Sequence, residues 1–406
     1  MRNVLASSHL TIEPDSEEAA HLVGSELMAS LAGETPKAIV VYATVNHDQA
    51  AVIQGIADIV GPGVAIVGCS SQGAVSNEQV VEEGFVLGAM ALGGDALRTA
   101  AALERTFQDG SFEKGQRLGR SLKADLGGDP DLVTVLYDPL CGADVERMLV
   151  GLQEEITCPI VGGGAGQPFG RPIRTFQYFG REVLSHSVVA LGLKGPFSAE
   201  IGVCHGTVPS GVVMTITKTD GPRILTIDGI SAIECWARVT GYSTSVLPDQ
   251  NHMAAWAIAV ERRTMVPGPD GPVERTAYMI RGAFGVDFET GGITMQTAIP
   301  EGTKIMIHHR SNDAVLKGTS VMGEELGQRL AHRQPWAVLG FECAARTSPF
   351  LGIAATIEEN HSLRAAVAPK SPWLGMIAWG EIAPCNGQPA FHNYTYPLAV
   401  LIENQG

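Results

Sequence analysis

Aromatic and charged side chains are scarce in this sequence, and signatures of nucleic-acid or membrane binding are missing. Phe, Trp and Tyr make up 6% of its 406 residues, and the charged residue types make up 17%. No block of Lys and Arg occurs, and the formal net charge is −15. Because phosphate backbones and anionic lipids repel such an acidic chain, we expect no nucleic-acid partner and no membrane partner.

Paired cysteines are missing as well. The seven cysteines are spread along the chain, and none forms a Cys-x-x-Cys pair or stands at zinc-finger spacing. In a chain of this length the pattern is typical of reduced thiols rather than of a disulfide framework. The N-terminal segment lacks the apolar core of a signal peptide, and no apolar run is long enough to span a bilayer. The expected location is therefore the cytoplasm.

The sequence is instead rich in hydrophobic residues (45%) and contains 48 glycines. A chain of 406 residues with this apolar content is long enough to build two or three separate cores. High glycine with few aromatic residues indicates many tight turns and close backbone approaches. We therefore predict a combination of α/β and α+β structure.

The first half of the chain shows the same order of predicted elements twice. Each copy is a strand, a helix, a strand that ends in a turn of small residues, and a hairpin. The copies have strands at 38–44 and 64–68 with the turn Cys69-Ser70-Ser71, and strands at 132–137 and 159–162 with the turn Gly163-Gly164. We interpret residues 1–196 as an N-terminal domain with an internal duplication, and chance similarity is the alternative.

The second half, beyond a break at 194–197, has a different pattern. Alternating apolar residues at 212–219 and 223–227 predict two strands, and helical spacing predicts helices at 230–240 and 320–333. The Pro- and Gly-rich segment 265–274 predicts an exposed loop or a hairpin tip. Residues 197–406 are therefore predicted to form a largely antiparallel α+β C-terminal domain.

Several motifs resemble those of the FIST family. Residues 67–73 (VGCSSQG) are similar to the family's Gly-Cys-Ser/Thr-Ser/Thr-x-Gly-Glu turn, with Ala74 in place of Glu. Cys204-His205-Gly206 resembles its His-Gly-Trp motif, with Thr207 in place of Trp. Residues 341–352 resemble its Ser-Cys-x-Gly-Arg…Leu-Gly motif, and further matches at 375–382 and 392–395 follow in the family's order. The resemblance covers nearly the whole chain.

The resemblance implies a FIST N-terminal and a FIST C-terminal domain that sense a small amino acid-like or anionic ligand. Since the sequence contains no kinase, receiver or cyclase segment, signalling would pass through another polypeptide, such as a histidine kinase or a cyclase-type protein. A stand-alone branch of the family, of similar length, is associated with haem and nitric-oxide sensing, so haem binding is an alternative. An enzyme with a cysteine or histidine–carboxylate site is a further alternative, and self-association stays open.

The candidate ligand-binding residues fall into an N-terminal and a C-terminal group. Small-residue turns after strands let backbone N–H groups approach a ligand, although Cys69 also raises the alternative of a nucleophile. Arg346 offers a planar fork for a carboxylate, either of a ligand or of Glu381. The full set is Cys69, Ser70, Ser71, Gly163, Gly164, Cys343, Arg346, Glu381, His392 and Asn393.

Haem would need an axial imidazole or thiolate ligand. The candidate haem ligands are His205, His308, His309 and His392. Because no Cys-x-x-Cys-His motif occurs, covalent c-type attachment is excluded. The sequence names no other cofactor.

Overall fold

The computed structural model of the protein describes residues 4–404 apart from 32, 78, 169–172, 247–254, 267–272 and 332. The described residues form helices packed on four sheets, which contain both parallel and antiparallel pairs. The predicted fold class, α/β combined with α+β, is confirmed. No helix among these residues is long and apolar enough to cross a membrane.

The first unit contains two helices on a sheet with a parallel pair of strands. Asp15 and Asp48 cap these helices, because their side chains accept hydrogen bonds from backbone N–H groups of the first turn. Its elements are β1 (Leu5–Thr11), α1 (Ser16–Ser30), β2 (Ala38–Ala43), α2 (Gln49–Val60), β3 (Ala65–Ser70), β4 (Ala74–Ser76), β5 (Val80–Val81) and β6 (Leu87–Gly93).

The second unit repeats this order of elements. Its central strands are apolar and fully buried, as expected for strands covered on both faces. The elements are β7 (Arg98–Glu104), α3 (Ser111–Leu126), β8 (Leu132–Tyr137), α4 (Val145–Glu155), β9 (Ile160–Gly164), β10 (Gln177–Phe179), β11 (Glu182–Leu184) and β12 (Val188–Lys194).

The third unit begins with β13 (Phe197–His205) and is interrupted by an inserted antiparallel sheet. This sheet has its own apolar core around Trp236 and Ile258. Its elements are β14 (Thr207–Asp220), β15 (Arg223–Ile227), β16 (Ile230–Ser231), α5 (Ala232–Thr240), β17 (Trp256–Val266), β18 (Val273–Asp287), β19 (Gly292–Met295) and β20 (Lys304–Arg310).

After the inserted sheet the third unit resumes in the same order as the other two. A 3₁₀ turn, Ala344–Arg346, links its first parallel strand to the helices that follow. Its remaining elements are α6 (Asn312–Leu330), β21 (Ala337–Cys343), α7 (Ser348–Leu351), α8 (Ile353–Val367), β22 (Trp373–Ala378), β23 (Glu381–Cys385), β24 (Gln388–His392) and β25 (Thr395–Glu403).

The three units share one strand order and exchange their hairpins. The sheets run β1-β6-β2-β3-β10-β11, β7-β12-β8-β9-β23-β24 and β13-β25-β21-β22-β4-β5. In each sheet the last two strands form a hairpin that belongs to a different unit: the second unit completes the first sheet, the third completes the second, and the first completes the third. The units are therefore interlocked in a cycle.

This topology bears on the predicted duplication and on the domain boundary. The same order of elements occurs twice in the first half and once more in the second half around the inserted sheet. Descent of the copies by duplication remains a prediction. So does the division into 1–196 and 197–406, although two of the sheets combine strands from both sides of that boundary.

The carboxyl ends of β3, β9 and β22 meet at the centre of the cycle. Backbone hydrogen bonds join the end of each of these strands to residues just beyond the end of another strand. They run from Gly166 N to Ser70 O (2.9 Å), from Gln72 N to Ile377 O (3.2 Å) and from Trp379 N to Gly164 O (3.0 Å). A Cβ on Gly166 would lie 3.0 Å from both Gln72 N and Ile377 O, so this centre is closely packed.

Several element boundaries differ from the prediction. The helix predicted at 320–333 extends over Asn312–Leu330, and α3 was not predicted at all. Gly115 and Gly119 of this helix pack directly against α4. In the segment 265–274, Val266 pairs with Val273, while 267–272 lie outside the described residues.

Candidate functional site

The carboxyl edges of the three sheets are equivalent positions that hold different side chains. At the second sheet, Asp138 follows β8 and is buried. Its Oδ1 accepts hydrogen bonds from Leu140 N (2.8 Å) and the Thr175 hydroxyl (3.0 Å), and its Oδ2 accepts one from His186 N (2.8 Å). Side chains of the protein itself therefore occupy this edge.

The edge of the third sheet is also occupied. Glu82, which follows β5, reaches the start of α7, where both of its carboxylate oxygens accept from Ser348 N (3.0 and 2.8 Å). The Gln72 side-chain amide donates to the Thr347 hydroxyl (3.3 Å) beside it. The hairpin of the first unit thus closes this position.

The edge of the first sheet contains a cavity of about 290 Å³. It lies between the N-terminus of α2 and the end of the segment that connects β9 to β10. We call it the α2 pocket, and its lining residues are Val45, His47, Asp48, Gln49, Ala50, Arg174 and Phe176. Clefts at the carboxyl ends of strands are where open α/β sheets bind ligands.

Buried hydrogen bonds hold the walls of the α2 pocket. The Gln49 amide donates to the carbonyls of Thr44 (3.0 Å) and His47 (2.8 Å), and its oxygen accepts from the Tyr178 hydroxyl. On the opposite wall, Phe176 N donates to the Ser70 hydroxyl (3.0 Å), and Ser70 N donates to the Phe176 carbonyl (2.8 Å). Both walls are therefore fixed before any ligand arrives.

The α2 pocket has one acidic, one basic and one aromatic side chain at its rim. The Asp48 carboxylate and the Arg174 guanidinium are exposed, and Arg174 lies 5.8 Å from the centre of the Phe176 ring. Burial lowers the pKa of His47, which keeps its imidazole neutral. Its Nδ1 lies 3.2 Å from the Ser16 hydroxyl, which accepts from Asp48 N (2.9 Å) and so can donate to this nitrogen.

The N-terminal group of predicted site residues lies behind this pocket. Ser70 supports its Phe176 wall, whereas Ser71 donates to the Ile377 carbonyl (3.1 Å) and accepts from Ile377 N (3.0 Å). Cys69 is fully buried, and burial raises the pKa of its thiol, so it stays protonated. This chemistry argues against a thiolate nucleophile at Cys69.

The two predicted glycines are at the packed centre. A Cβ on Gly163 would lie 2.8 Å from Ala378 Cβ, and one on Gly164 would lie 2.4 Å from the Trp379 carbonyl oxygen. Their small size is therefore explained by the close approach of strands. Contact of Gly163 or Gly164 with a ligand stays a prediction.

Arg346, in the C-terminal group, is fully buried and paired within the protein. Its partner is the Glu359 carboxylate of α8, and it also donates to the Thr319 hydroxyl (2.8 Å) and the Tyr394 carbonyl (3.2 Å). The alternative suggested by the sequence was a pair with Glu381. The structure gives Arg346 a different carboxylate, because α8 brings Glu359 beside it.

Glu381, Cys343 and His392 come together in the same interior. The Oε2 of Glu381 accepts from Thr395 N (3.1 Å) and the Thr395 hydroxyl (2.9 Å), and burial raises the pKa of Glu381 to about 8. His392 lies directly opposite Glu381 in the hairpin, and burial lowers its pKa to about 3. Burial also raises the pKa of the Cys343 thiol.

Asn393 joins the inserted sheet to the third unit. Its side chain accepts from Gly282 N (2.8 Å) and donates to the Gln296 side chain (2.9 Å). The residues of the C-terminal group are all buried, with exposures of 5% or less. Ligand contact by these residues stays a prediction.

The four candidate haem ligands do not line one cavity. His205 and His308 both contact the Thr207 hydroxyl (3.0 and 3.1 Å), His309 is exposed against Trp256, and His392 is in the interior just described. Burial and the nearby His205 lower the pKa of His308 to about 4, so this imidazole is neutral, as an iron ligand must be. None of the four lines the α2 pocket or the second described cavity, of about 610 Å³, which lies beside Ile201 and Arg329. Haem binding stays a prediction.

The residues of the α2 pocket were not predicted from the sequence. Asp48 lies between the predicted strands 38–44 and 64–68, and nothing beside it in the sequence indicates a ligand. Arg174 and Phe176 come from the second unit, and the hairpin exchange that carries them to the first sheet has no local sequence signal. Within the described part of the chain, no group of three or more metal-ligating side chains occurs either.

Comparisons with known proteins extend over most of the chain. A family model described as FIST N domain matches residues 37–230, and one described as FIST C domain matches residues 232–384. An uncharacterized protein of Mycobacterium bovis is 25% identical over 401 residues, which cover 96% of this chain and 97% of that protein. Another, from Mycobacterium tuberculosis, is 26% identical over 400 residues, with the same coverage.

Among solved structures, cyanuric acid hydrolase from A. caulinodans aligns with 99% of this chain and 100% of its own, at 10% identity. The TM-score is 0.37, and a likeness this weak carries no inference about activity.

Proposed function

Because this chain belongs to the FIST family, with an N-terminal and a C-terminal FIST domain, we propose that it is a sensor whose small ligand binds in the α2 pocket. The observation that carries the proposal is the difference between three equivalent sheet edges. Asp138 and Glu82 occupy two of them, and the first retains a cavity of about 290 Å³. Ligand pockets are typically concave, with a few polar groups that converge on an apolar wall.

The charges at the rim favour a zwitterionic ligand such as an amino acid. The Arg174 guanidinium suits a carboxylate, and the Asp48 carboxylate suits an ammonium group. Val45 and Phe176 supply apolar surface for the rest of the molecule. A pocket of this volume accommodates a small molecule of that class.

Signalling would pass to a separate polypeptide, and we propose a histidine kinase or a cyclase-type protein in the cytoplasm. All seven cysteines are unpaired, which suits a reducing compartment. Arg174 belongs to the second unit and Asp48 to the first, so a ligand that contacts both would tighten the contact between two units. That change is what a partner would recognise.

A thermal-shift screen with the L-amino acids tests this proposal. Asp48→Asn keeps a capping oxygen for α2 but removes the charge, so a ligand that raises the melting temperature of the native protein should raise that of the variant much less. Asp15→Asn is the matched control, because Asp15 caps α1 in the same way but lies outside the pocket.

The α2 pocket is not the sensory site if no compound in the screen gives a saturable shift. The same conclusion follows if the shift survives Asp48→Asn and Arg174→Ala unchanged. An absorption spectrum of protein purified from its own host tests for bound haem, since a Soret band would favour the haem-binding alternative.

A further inference from the structure

Arg310 is a buried arginine without a counter-ion. It ends β20 and has 8% of its surface exposed, and its Nε and Nη2 are buried with no hydrogen-bond partner. None of the ion pairs among the described residues includes Arg310. A buried charge that lacks a partner is unfavourable, so such a group indicates that a ligand supplies the missing charge.

The two unpartnered atoms form one edge of the guanidinium group. The Nε–H and Nη2–H bonds of arginine point in the same direction, which is the arrangement that binds both oxygens of a carboxylate or phosphate. The guanidinium carbon lies 5.5 Å from the centre of the Phe350 ring, a cation–π contact that helps to hold its plane.

A buried histidine lies on the same side of the strand. His308 and Arg310 are two residues apart in β20, so their side chains project from the same face. The Nδ1 of His308 contacts the Thr207 hydroxyl (3.1 Å). The backbone N–H of Thr207 (3.4 Å) and the same hydroxyl (3.0 Å) both contact the Nδ1 of His205. Because His205 Nδ1 accepts a hydrogen bond from the Thr207 backbone N–H, this nitrogen carries no proton. The Thr207 hydroxyl therefore donates its proton to His205 Nδ1 and accepts a hydrogen bond from the Nδ1–H of His308.

This arrangement leaves the lone pair of His308 on Nε2, which is buried and has no partner. The group of His205, Thr207, His308 and Arg310 thus contains a cationic fork at Arg310 and, two residues away in β20, a neutral acceptor at His308. We call it the Arg310 cluster. The neighbouring Arg346 is paired with Glu359, and no carboxylate lies within ion-pair distance of Arg310 in the described part of the chain.

We infer that the Arg310 cluster is a second binding site, which takes a small oxyanion whose carboxylate or phosphate lies against the Nε–Nη2 edge of Arg310. The site is separate from the α2 pocket and does not depend on it, since the two share no lining residue. It joins β14 and β20 of the inserted sheet to Phe350 of the third unit, so an anion there would fasten the inserted sheet to the rest of the protein.

The test compares thermal unfolding in chloride with unfolding in inorganic phosphate or acetate at matched ionic strength. The melting temperature of the native protein should rise with the concentration of at least one oxyanion and then saturate. If only phosphate acts, the site suits tetrahedral anions. If acetate acts as well, it takes carboxylates too.

Three variants isolate the role of Arg310. Arg310→Met should remove the oxyanion effect without lowering the melting temperature in chloride, because the variant lacks the unmatched charge. Arg310→Lys should bind about tenfold more weakly, since lysine has no fork. Arg281→Met is the matched control: Arg281 is equally buried but paired with Glu146, so its loss should destabilise the protein in every buffer.

The inference is overturned if neither oxyanion gives a saturable rise, or if Arg310→Met retains the rise. It is also overturned if Arg310→Met lowers the melting temperature in chloride as strongly as Arg281→Met does, since Arg310 would then be structural. Arg174→Ala should leave the oxyanion effect intact, which separates this site from the α2 pocket.

Discussion

At the scale of single residues, the buried charges of the C-terminal half differ in what balances them. Arg346 is matched by Glu359, and Arg281 is matched by Glu146. Glu381 has hydrogen bonds from Thr395 but no cationic partner within ion-pair distance in the described structure. The same interior therefore contains ion pairs and an acid that is held in its neutral form.

Glu381 should make the stability of the protein depend on pH. Burial raises its pKa from the ordinary 4.5 to about 8, so the folded protein holds this proton more tightly than the unfolded chain does. The resulting stability is fully present below the unfolded pKa and is lost as the pH rises toward 8. The free energy of unfolding of the native protein should therefore fall as the pH rises from about 5 to 8. In Glu381→Gln this fall should be smaller by up to about 1.4 kcal/mol per pH unit.

Urea unfolding of both proteins at several pH values measures this difference. Glu342, whose pKa burial also raises, contributes equally to both curves. Glu26→Gln, at an exposed position of α1, is the control and should follow the native curve. Identical slopes for the native protein and Glu381→Gln would show that Glu381 is ionised when the protein is folded.

Arg346 and Glu359 should behave as one unit in a double-mutant cycle. Arg346→Met leaves the Glu359 carboxylate buried without a cation, which costs about 3–5 kcal/mol. Adding Glu359→Gln should recover most of that loss, because no uncompensated charge remains. Free energies of unfolding of the four proteins measure the coupling. Additive losses would contradict the pairing, and they would leave room for the ligand-binding role that the sequence suggested for Arg346.

At the scale of elements, the exchanged hairpins depend on turns that only glycine fits. Gly380, between β22 and β23, has a φ of +98°. A Cβ there would lie 2.5 Å from Phe391 Cε2 and 2.7 Å from the Tyr137 hydroxyl oxygen. The short connection that carries the third unit's hairpin to the second sheet therefore needs a residue without a side chain.

Gly380→Ala should destabilise the protein by about 2–5 kcal/mol, from the positive φ and from overpacking together. Gly285→Ala is the matched control, because a Cβ at this strand position meets no atom within 4 Å. Thermal unfolding of the two variants measures the difference. Equal melting temperatures would mean that the turn at Gly380 adapts to a side chain and does not constrain the hairpin.

At the scale of the whole molecule, the interlocking makes each unit depend on another. The second sheet takes β23 and β24 from the third unit, and Ile382 and Phe391 of these strands pack in the same core as α3 and α4. A fragment of residues 1–196 lacks these strands, and its own hairpin β4–β5 lacks the sheet to which it belongs.

We expect the 1–196 fragment to lack a cooperative thermal transition when it is produced alone. Co-expression with 197–406 should restore one, because the missing strands are then supplied by the second fragment. Near-ultraviolet circular dichroism during heating distinguishes the two cases. A sharp transition of the isolated fragment would support the simple two-domain division that the sequence suggested.

The sequence predicted the fold class and much of the first half, because local patterns determine those features. The apolar run at 38–44, for example, is sufficient to identify β2. The α2 pocket could not be predicted in this way. It combines Asp48 with Arg174, and only the exchange of hairpins, a long-range feature, brings them to one edge.

The burial of the C-terminal site residues was unpredictable for a related reason. Arg346 and Glu381 look like ligand-binding residues beside apolar strands, and their chemistry is consistent with that role. Their real partners, Glu359 and Thr395, were set by the packing of α8 and by the order of strands in the sheet. A pattern along the chain does not contain that information.

Calorimetric titration of the native protein and Arg174→Ala tests the central claim most directly. The titrant is the amino acid that gives the largest thermal shift, and Arg181→Ala, at an exposed ion pair of β10–β11, is the matched control. We predict an affinity reduced about ten- to a hundredfold in Arg174→Ala and no change in Arg181→Ala. Equal affinities of the native protein and Arg174→Ala would contradict the account.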